Sequence, residues 1–184
     1  ICPQGGGQVK KTIDVSLSVS SLQNAIKELK AYQTRLDHKC AVIAERLADD
    51  GVEVARVQLA NLDAIFKGEL IESIQSECVI DTKGSHIWAV VAGTDHAAFV
   101  EFGTGVIGQK KPYKGELPPG VSWQYTSGQT IHQLKDGRIG WFYRDDNGHW
   151  WFTEGMPSRP YMYNTARELE RKVKNVVKEV FDNG

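Results

Sequence analysis

The sequence predicts an α+β fold: a small antiparallel sheet with a long N-terminal helix and a C-terminal helix packed on one face, plus an aromatic β-hairpin insertion. Two observations support this prediction. Apolar residues recur at helical spacing near both ends of the chain, and they alternate with polar residues in its middle. The length of 184 residues suits a single domain, which can bury a core without metals or disulfides.

The charge balance is nearly neutral. The 22 Lys and Arg residues and 23 Asp and Glu residues give a net charge of −1, so no overall attraction draws the chain to nucleic acid or to an anionic membrane. No apolar run approaches the roughly 20 residues of a membrane-spanning helix. The sequence therefore predicts neither sequence-specific nucleic-acid binding nor membrane insertion.

The start of the chain is expected to contain a leader and a strand. Residues 1–11 lack the charged start and apolar core of a signal peptide, and we expect them to be flexible. Residues 12–19 then alternate, with Ile13, Val15 and Leu17 facing one way, which predicts a half-buried strand.

A long amphipathic helix is predicted next, over residues 21–49. Ser20 and Gln23 have the spacing of a capping box at its start, and Gly51 is expected to end it in a left-handed conformation. Its apolar face comprises Leu22, Ala25, Ile26, Leu29, Leu36, Cys40, Ile43 and Leu47.

A second helix and a hairpin are predicted after Gly51. Residues 52–62 show both strand and helix patterns, and we favour a helix. Residues 74–80 and 87–92 have strand patterns, and Lys83-Gly84 between them provides a turn.

A short helix over residues 96–102 should follow the hairpin, with Thr94 or Asp95 as its cap and Gly103 at its end. Residues 105–138 contain several Gly and Pro residues and few periodic apolar positions, which predicts a long loop.

A second hairpin and a last helix complete the chain. The aromatic runs at 140–144 and 149–153 are joined by residues 145–148, whose Asn-Gly pair is a strong hairpin signal. We therefore treat residues 105–155 as a loop and hairpin insertion within one domain covering 1–184. Apolar residues at helical spacing predict a C-terminal helix that ends near Phe181.

The three cysteines, Cys2, Cys40 and Cys78, are too irregularly spaced for a disulfide framework. Cys40 falls on the apolar side of a helical pattern and Cys78 on one face of a strand pattern. We expect both to be small buried side chains.

No catalytic motif is recognisable in the sequence. The best candidate is His96 with Asp95 and Glu101, since a nearby carboxylate can tune a histidine as a general base. We favour a structural interpretation, in which Asp95 caps a helix that His96 opens. The prediction is a protein that is not an enzyme, with no catalytic residues, metal site or cofactor.

Aromatic residues are concentrated between residues 123 and 152. An exposed aromatic hairpin usually marks a protein interface, although core packing or stacking on a ligand is also compatible with the pattern. The predicted interface residues are Trp123, Tyr125, Trp141, Tyr143, Trp150 and Trp151.

Three segments together resemble the tail-completion, or neck and minor tail, proteins of long-tailed bacteriophages. Residues 96–104 read HAAFVEFGT, similar to the family's A-x-[YF]-V-E-[FY]-G-T. Residues 68–74, GELIESI, look like its T-G-x-L-x-x-S-I, and residues 158–162, SRPYM, look like its P-F-[LM]. The matching positions are Gly68, Leu70, Ser73, Ile74, Phe99, Glu101, Phe102, Gly103, Thr104, Pro160 and Tyr161.

The sequence departs from the family pattern at a few positions. Lys67 replaces the usual Thr, Tyr161 replaces Phe, and residues 163–166 differ from the common x-P-A. The segment between Gly105 and Gly155 is longer than in short members.

The motif residues also have physical interpretations. Gly68 permits a chain reversal, and Pro160 fixes the entry to the last helix. Phe99 and Phe102 are spaced to anchor the short helix to the sheet. Glu101 is expected to point outward and to pair with a neighbour or with a backbone amide.

The resemblance implies a structural virion protein that completes the head-proximal end of a tail tube and joins it to the head connector. Its expected partners are further copies in a hexameric ring, the tail tube or tail terminator protein, and the connector or head-closure protein. It would be assembled in the bacterial host cytoplasm and located in the virion neck. The alternatives are another neck or head-closure protein of the same fold, or a small ligand-binding module or enzyme that uses the aromatic hairpin.

Overall fold

One unbroken helix, α1 (Val19–Asn61), extends over 43 residues. The computed structural model describes residue 13 and residues 15–64, 68–117, 119–126 and 128–182. The two helices predicted over 21–49 and 52–62 are parts of this single helix, so the predicted break between them is wrong.

Gly51 lies inside α1, where it allows close packing and does not end the helix. A Cβ atom added there would lie 2.7 Å from Cγ2 of Val90 and 3.0 Å from Cδ1 of Leu169. Two other elements therefore approach the α1 backbone closely at a residue without a side chain. The predicted left-handed cap at Gly51 is wrong because these tertiary contacts, and not a turn, require the glycine.

The predicted strand over 12–19 is wrong for the part that the structure describes. Ile13 and residues 15–18 form no strand, Val19 already belongs to α1, and Leu17 is fully exposed. Thr12, Asp14 and the predicted leader lie outside the described residues. The Ser18 hydroxyl accepts the Ser21 N–H at 3.3 Å, so the helix starts before the predicted Ser20–Gln23 capping box.

The carboxyl end of α1 has the reversed hydrogen bonds of a Schellman motif. Ala64 donates its N–H to the carbonyl of Leu59 at 3.0 Å, and Asp63 donates to Ala60 at 3.1 Å. Asp63 has a φ of 51° and occupies the left-handed position where glycine is usual.

The predicted first hairpin is confirmed as β1 (Ile74–Thr82) and β2 (Ser85–Ala92), which pair antiparallel and pack on α1. Gly84 in the turn has a φ of 86°. The Ser76 hydroxyl donates a hydrogen bond of 2.7 Å to the carboxylate of Asp49 on α1. Cys78 and, on α1, Cys40 are both exposed, so the prediction that they are buried is wrong.

Two short helices flank this hairpin, α2 (Glu69–Glu72) and α3 (Ala97–Phe102). The capping position of α3 is His96, without a side-chain capping bond, so the predicted caps at Thr94 and Asp95 are wrong. Gly103 ends α3, as predicted, with a φ of 79°.

The predicted loop over 105–138 contains some regular structure. It begins with a helix, α4 (Gly105–Lys110), and includes a short strand, β3 (His132–Gln133), which pairs with β4 (Ile139–Arg144). The predicted aromatic hairpin is confirmed, since β4 pairs antiparallel with β5 (Trp150–Thr153). A short strand, β6 (Gly155–Met156), then passes back beside the start of α4.

The C-terminal helix, α5 (Tyr161–Asp182), starts directly after Pro160, as predicted. It runs antiparallel to α1: Gln58 contacts Asn164 at one end, and the Lys39 ammonium donates to the Val180 carbonyl at the other. The predicted α+β class is thus confirmed. The fold has two long helices and two small antiparallel sheets, one formed by β1 and β2 and the other by β3, β4 and β5. Its core is formed by Val52, Ala55, Leu59, Leu70, Ile74, Val100 and Tyr161.

Candidate functional site

The three segments that carry the family resemblance, residues 68–74, 96–104 and 158–162, meet in one core cluster. The Glu101 carboxylate joins the last two of them. Glu101 is buried and accepts the N–H groups of Met162 at 2.9 Å and Tyr163 at 3.0 Å. It therefore caps the first turn of α5 from α3. Burial raises the pKa of the Glu101 carboxyl, and the hydrogen bonds from the backbone N–H groups oppose that rise.

This arrangement corrects one expectation and supports another. Glu101 does not point outward, but its predicted pairing with a backbone amide is confirmed. The Ser158 hydroxyl adds a bond of 2.7 Å to the Glu101 carbonyl, and the Thr104 hydroxyl accepts the Met156 N–H at 3.2 Å. Residues 101–104 are thereby joined to residues 156–163 on both sides of the buried carboxylate.

Glycines allow the chain around residues 103–105 to pass close to the chain around residues 154–158. A Cβ atom on Gly103 would lie 2.6 Å from the Ser158 nitrogen. On Gly105 it would collide with the Glu154 carbonyl, and on Gly155 with the Thr104 carbonyl. All three glycines also have positive φ angles, so both space and backbone conformation exclude larger residues.

The segment of residues 68–74 forms the other side of the junction. Ser73 donates to the Leu70 carbonyl at 2.8 Å and accepts the Gly93 N–H at 3.2 Å, which ties α2 to the end of β2. Leu70 and Ile74 are buried in the same core cluster as Tyr161, which belongs to the segment of residues 158–162. The three segments thus share one packing unit.

An aromatic cluster extends from the junction into the insertion. The Phe102 ring lies 4.9 Å from Tyr113 and 5.0 Å from Trp123, and Phe99 also contacts Trp123. The Trp123 indole donates to the Gly103 carbonyl at 2.9 Å. Phe99 and Phe102 therefore anchor the insertion to α3, and the expectation that they anchor α3 to the sheet is wrong.

A pocket of about 610 Å³ opens where the three segments meet the end of α1. Its apolar floor includes Leu59, Leu70, Val100 and Met156. Charged or titratable side chains also line it: His96 and Arg159, together with Asp63 and Glu69. An apolar cavity with a few polar groups is the usual form of a small-ligand site.

The aromatic hairpin projects large side chains on both of its faces. Trp150 pairs with Arg144, and Trp151 pairs with Tyr143, so the two tryptophans lie on opposite faces. Trp150 is 68% exposed and Trp151 is 53% exposed. The Trp151 indole donates to Asp145 at 2.9 Å, which holds that ring in one orientation.

Half of the predicted interface residues pack inside the chain. Trp141 is only 8% exposed and lies against Gly105, Tyr125 lies against Gly108, and Trp123 belongs to the aromatic cluster. Only Tyr143, Trp150 and Trp151 of the predicted set are exposed. The surface available to a partner is therefore smaller than the sequence suggested.

A histidine between two carboxylates is a polar cluster that sequence reasoning missed. Nδ1 of His86 lies 2.7 Å from Asp81, and Nε2 lies 3.2 Å from Asp37 of α1. Asp37 also accepts the Gly84 N–H at 2.7 Å, and this bond is the main cause of its lowered pKa. The pKa of His86 is raised, first by its bond to Asp81. No local motif links these residues, which are up to 49 positions apart.

The candidate catalytic group does not assemble. Both carboxylate oxygens of Glu101 bind backbone amides, and among the described residues no hydrogen bond joins His96 to Asp95 or Glu101. No group of three or more His, Cys, Asp and Glu side chains in the described ranges could hold a metal ion. None of the described helices is both long enough and apolar enough to span a bilayer.

Comparison of the chain with protein-family models, with curated proteins and with solved structures found no match.

Proposed function

We propose that this chain is a structural virion protein of a long-tailed bacteriophage or prophage. In this proposal it completes the head-proximal end of the tail tube and joins the tail to the head connector. The main support is the hairpin tip, where Trp150 and Trp151 are exposed on opposite faces. Exposed aromatic residues of this kind are typical anchors of protein interfaces.

The two faces of the tip suit a subunit with two different neighbours. A ring is built from heterologous contacts, in which each copy presents one surface to the next copy and another surface to the previous one. The hydrogen bond between Trp151 and Asp145 fixes the orientation of the indole side chain before a partner binds, which lowers the entropy cost of docking. We propose a hexameric ring in the neck, with the tail tube or terminator on one side and the connector or head-closure protein on the other.

The junction around Glu101 supports the same proposal in a different way. Three separated segments with the family pattern share one core cluster, and the buried Glu101 carboxylate joins two of them. Their contacts stabilise the folded part of the chain that carries the hairpin, which is a structural role. Another neck or head-closure role would use the same body, and the position of the protein in virion images would distinguish the two roles.

The test is complementation of a phage that lacks this gene with the double variant Trp150→Ala, Trp151→Ala. We expect a folded protein, free heads and free tails, and a loss of infectious particles of at least about 100-fold, given the weight of hot-spot tryptophans. Val121→Ala, an exposed apolar position in the same insertion, is the matched control. Normal infectivity of the double variant would contradict the proposal.

A ligand-binding role is the second candidate, and the pocket at the junction favours it over a site on the hairpin. The cationic Arg159 beside an apolar floor suits a small carboxylate with an apolar body. Titration with phenylacetate, followed by amide NMR shifts at Val100 and Met156, tests this role. Binding that Arg159→Ala abolishes would support a ligand site, and unchanged spectra would exclude this class of ligand.

A further inference from the structure

The amino-terminal part of α1 presents an apolar stripe that extends beyond the elements covering the rest of the helix. The α5 helix ends at the level of Lys39, whose ammonium lies 3.1 Å from the Val180 carbonyl. The β1–β2 turn ends at the level of Asp37, which binds Gly84. Residues 19–36 therefore extend about 27 Å beyond both elements, at 1.5 Å per residue.

Six side chains on one face of this extension follow a seven-residue repeat, and all but one of them are apolar. We call them the α1 stripe, which consists of Val19, Leu22, Ile26, Leu29, Gln33 and Leu36. The five apolar members are each between 37% and 72% exposed. This is a continuous exposed surface on a rigid helix, in contrast to isolated apolar residues, which are common on protein surfaces.

The residue types in the stripe indicate what covers it. Leu22, Leu29 and Leu36 occupy the d positions of a heptad, and Val19 and Ile26 occupy a positions. β-branched residues at a with leucine at d favour two-stranded parallel coiled coils. Gln33 is the only polar member, at an a position, where a single polar residue fixes register because it pairs with its own copy.

The flanking charges allow a helix to pair with an identical helix. The e positions are Gln23, Lys30 and Asp37, and the g positions are Ala25, Tyr32 and Lys39. In a parallel pair the g residue of one copy meets the following e residue of the other. Ala25, which is already buried within the single chain, would lie near Lys30, and Tyr32 would face Asp37. No two like charges meet at these positions, and like charges there would oppose self-pairing.

We infer that the α1 stripe is a self-association surface, at which two copies of this chain pair as a short parallel coiled coil. The contact is only about 27 Å long, at the small end of specific interfaces, so the pair is weak and depends on concentration. A two-fold pair uses the same patch on both copies and closes on itself. The inference goes beyond the proposed function and does not depend on it, because the hairpin is not part of this surface.

The first test is solution mass by light scattering of the full chain over a range of concentrations. We expect a reversible monomer–dimer equilibrium. Leu29→Glu should raise its dissociation constant at least about tenfold, because it places two carboxylates in the seam. Ala31→Glu adds the same charge on the opposite side of the helix and should leave the constant unchanged.

The second test fixes the orientation, in a background where Cys2, Cys40 and Cys78 are replaced by Ser. Leu22→Cys should form a disulfide with its own copy, since equivalent d residues face each other in a parallel pair. A dimer without that cross-link would overturn the parallel arrangement.

Three further results would overturn the inference. These are a wild-type chain that stays monomeric at all concentrations, a dimer that Leu29→Glu does not weaken, and a monomer whose unfolding midpoint falls with Leu29→Glu. The last result would mean that the chain itself covers the stripe. Loss of infectivity in the hairpin variant is a separate readout, so failure of this inference and failure of the proposed function can be distinguished.

Discussion

The buried carboxylate of Glu101 lies 2.9 Å from the backbone nitrogen of Met162, 61 residues later in the chain. With the second bond to Tyr163 it satisfies two N–H groups at the start of α5 that have no partner within the helix. Helix capping is usually local, through a side chain at the capping position itself. Here the cap comes from another helix and also fixes how α3 and α5 pack.

We therefore expect Glu101→Ala to lower the free energy of unfolding by about 2–4 kcal/mol, since it leaves two amides without a charged acceptor. Glu101→Gln retains one acceptor oxygen and should cost less than the alanine variant. Urea unfolding followed by circular dichroism measures both values. Equal stability of the wild type and Glu101→Ala would show that the carboxylate is not needed to hold α5.

Gly51 should tolerate no larger side chain. Gly51→Val is expected to lower the free energy of unfolding by about 1–3 kcal/mol, because the new side chain overlaps Val90 and Leu169. A double-mutant cycle with Val90→Ala should show a favourable coupling energy, since the smaller residue makes room. Strictly additive effects would contradict the close contact between α1 and β2.

Asp63 adopts a left-handed conformation that glycine adopts without strain. Asp63→Gly should raise the free energy of unfolding by about 0.5–1 kcal/mol. Asp50→Gly is the matched control, because the same substitution inside α1 should lower stability, by a few tenths of a kcal/mol on the helix-propensity scale. Thermal unfolding of the two variants tests the opposite signs, and a loss in both would contradict the left-handed cap.

The His86 cluster should make stability depend on pH near neutrality. The pKa of His86 is raised above its ordinary value of 6.5 in the fold, so its stabilising contribution is complete below that value. The contribution is lost as pH rises through the raised pKa. Asp37 has a lowered pKa, so its contribution is present above the ordinary carboxyl value of 3.8 and is lost only as pH falls through the lowered pKa.

The measurement is the free energy of unfolding between about pH 6 and pH 9, the range in which a perturbed histidine titrates. His86→Gln should flatten the decline seen in the wild type. His38→Gln, at an exposed position on α1, should retain the decline. A wild-type curve that rises with pH would contradict the assigned direction.

The elements that were predicted well from sequence are those with local signals. Lys83-Gly84 and Asn147-Gly148 specify tight turns whatever surrounds them, so both hairpins were located correctly. The alternation over 12–19 failed because a strand also needs a neighbour to bond. Gly51 was misread because its role depends on Val90 and Leu169, which lie far away in the sequence.

The candidate site was only partly predictable for the same reason. The motif segments are visible in the sequence, but the burial of Glu101 and the pocket beside Arg159 arise only when those segments meet. The alternation of the aromatic hairpin could not show which face packs on α4. The packed face buries Trp141, while at the exposed tip Trp151 lies on that same face and Trp150 on the opposite one.

The continuity of α1 has a geometric consequence for anything that binds at its two ends. A helix of 43 residues is about 64 Å long, so the stripe near Val19 and the pocket near Leu59 are held at a fixed separation and a fixed angle. Inserting one residue before Asp37 would turn the stripe by about 100° relative to the folded body. Inserting seven residues would nearly restore its direction and move it outward by about 10 Å, so angle and distance could be varied separately.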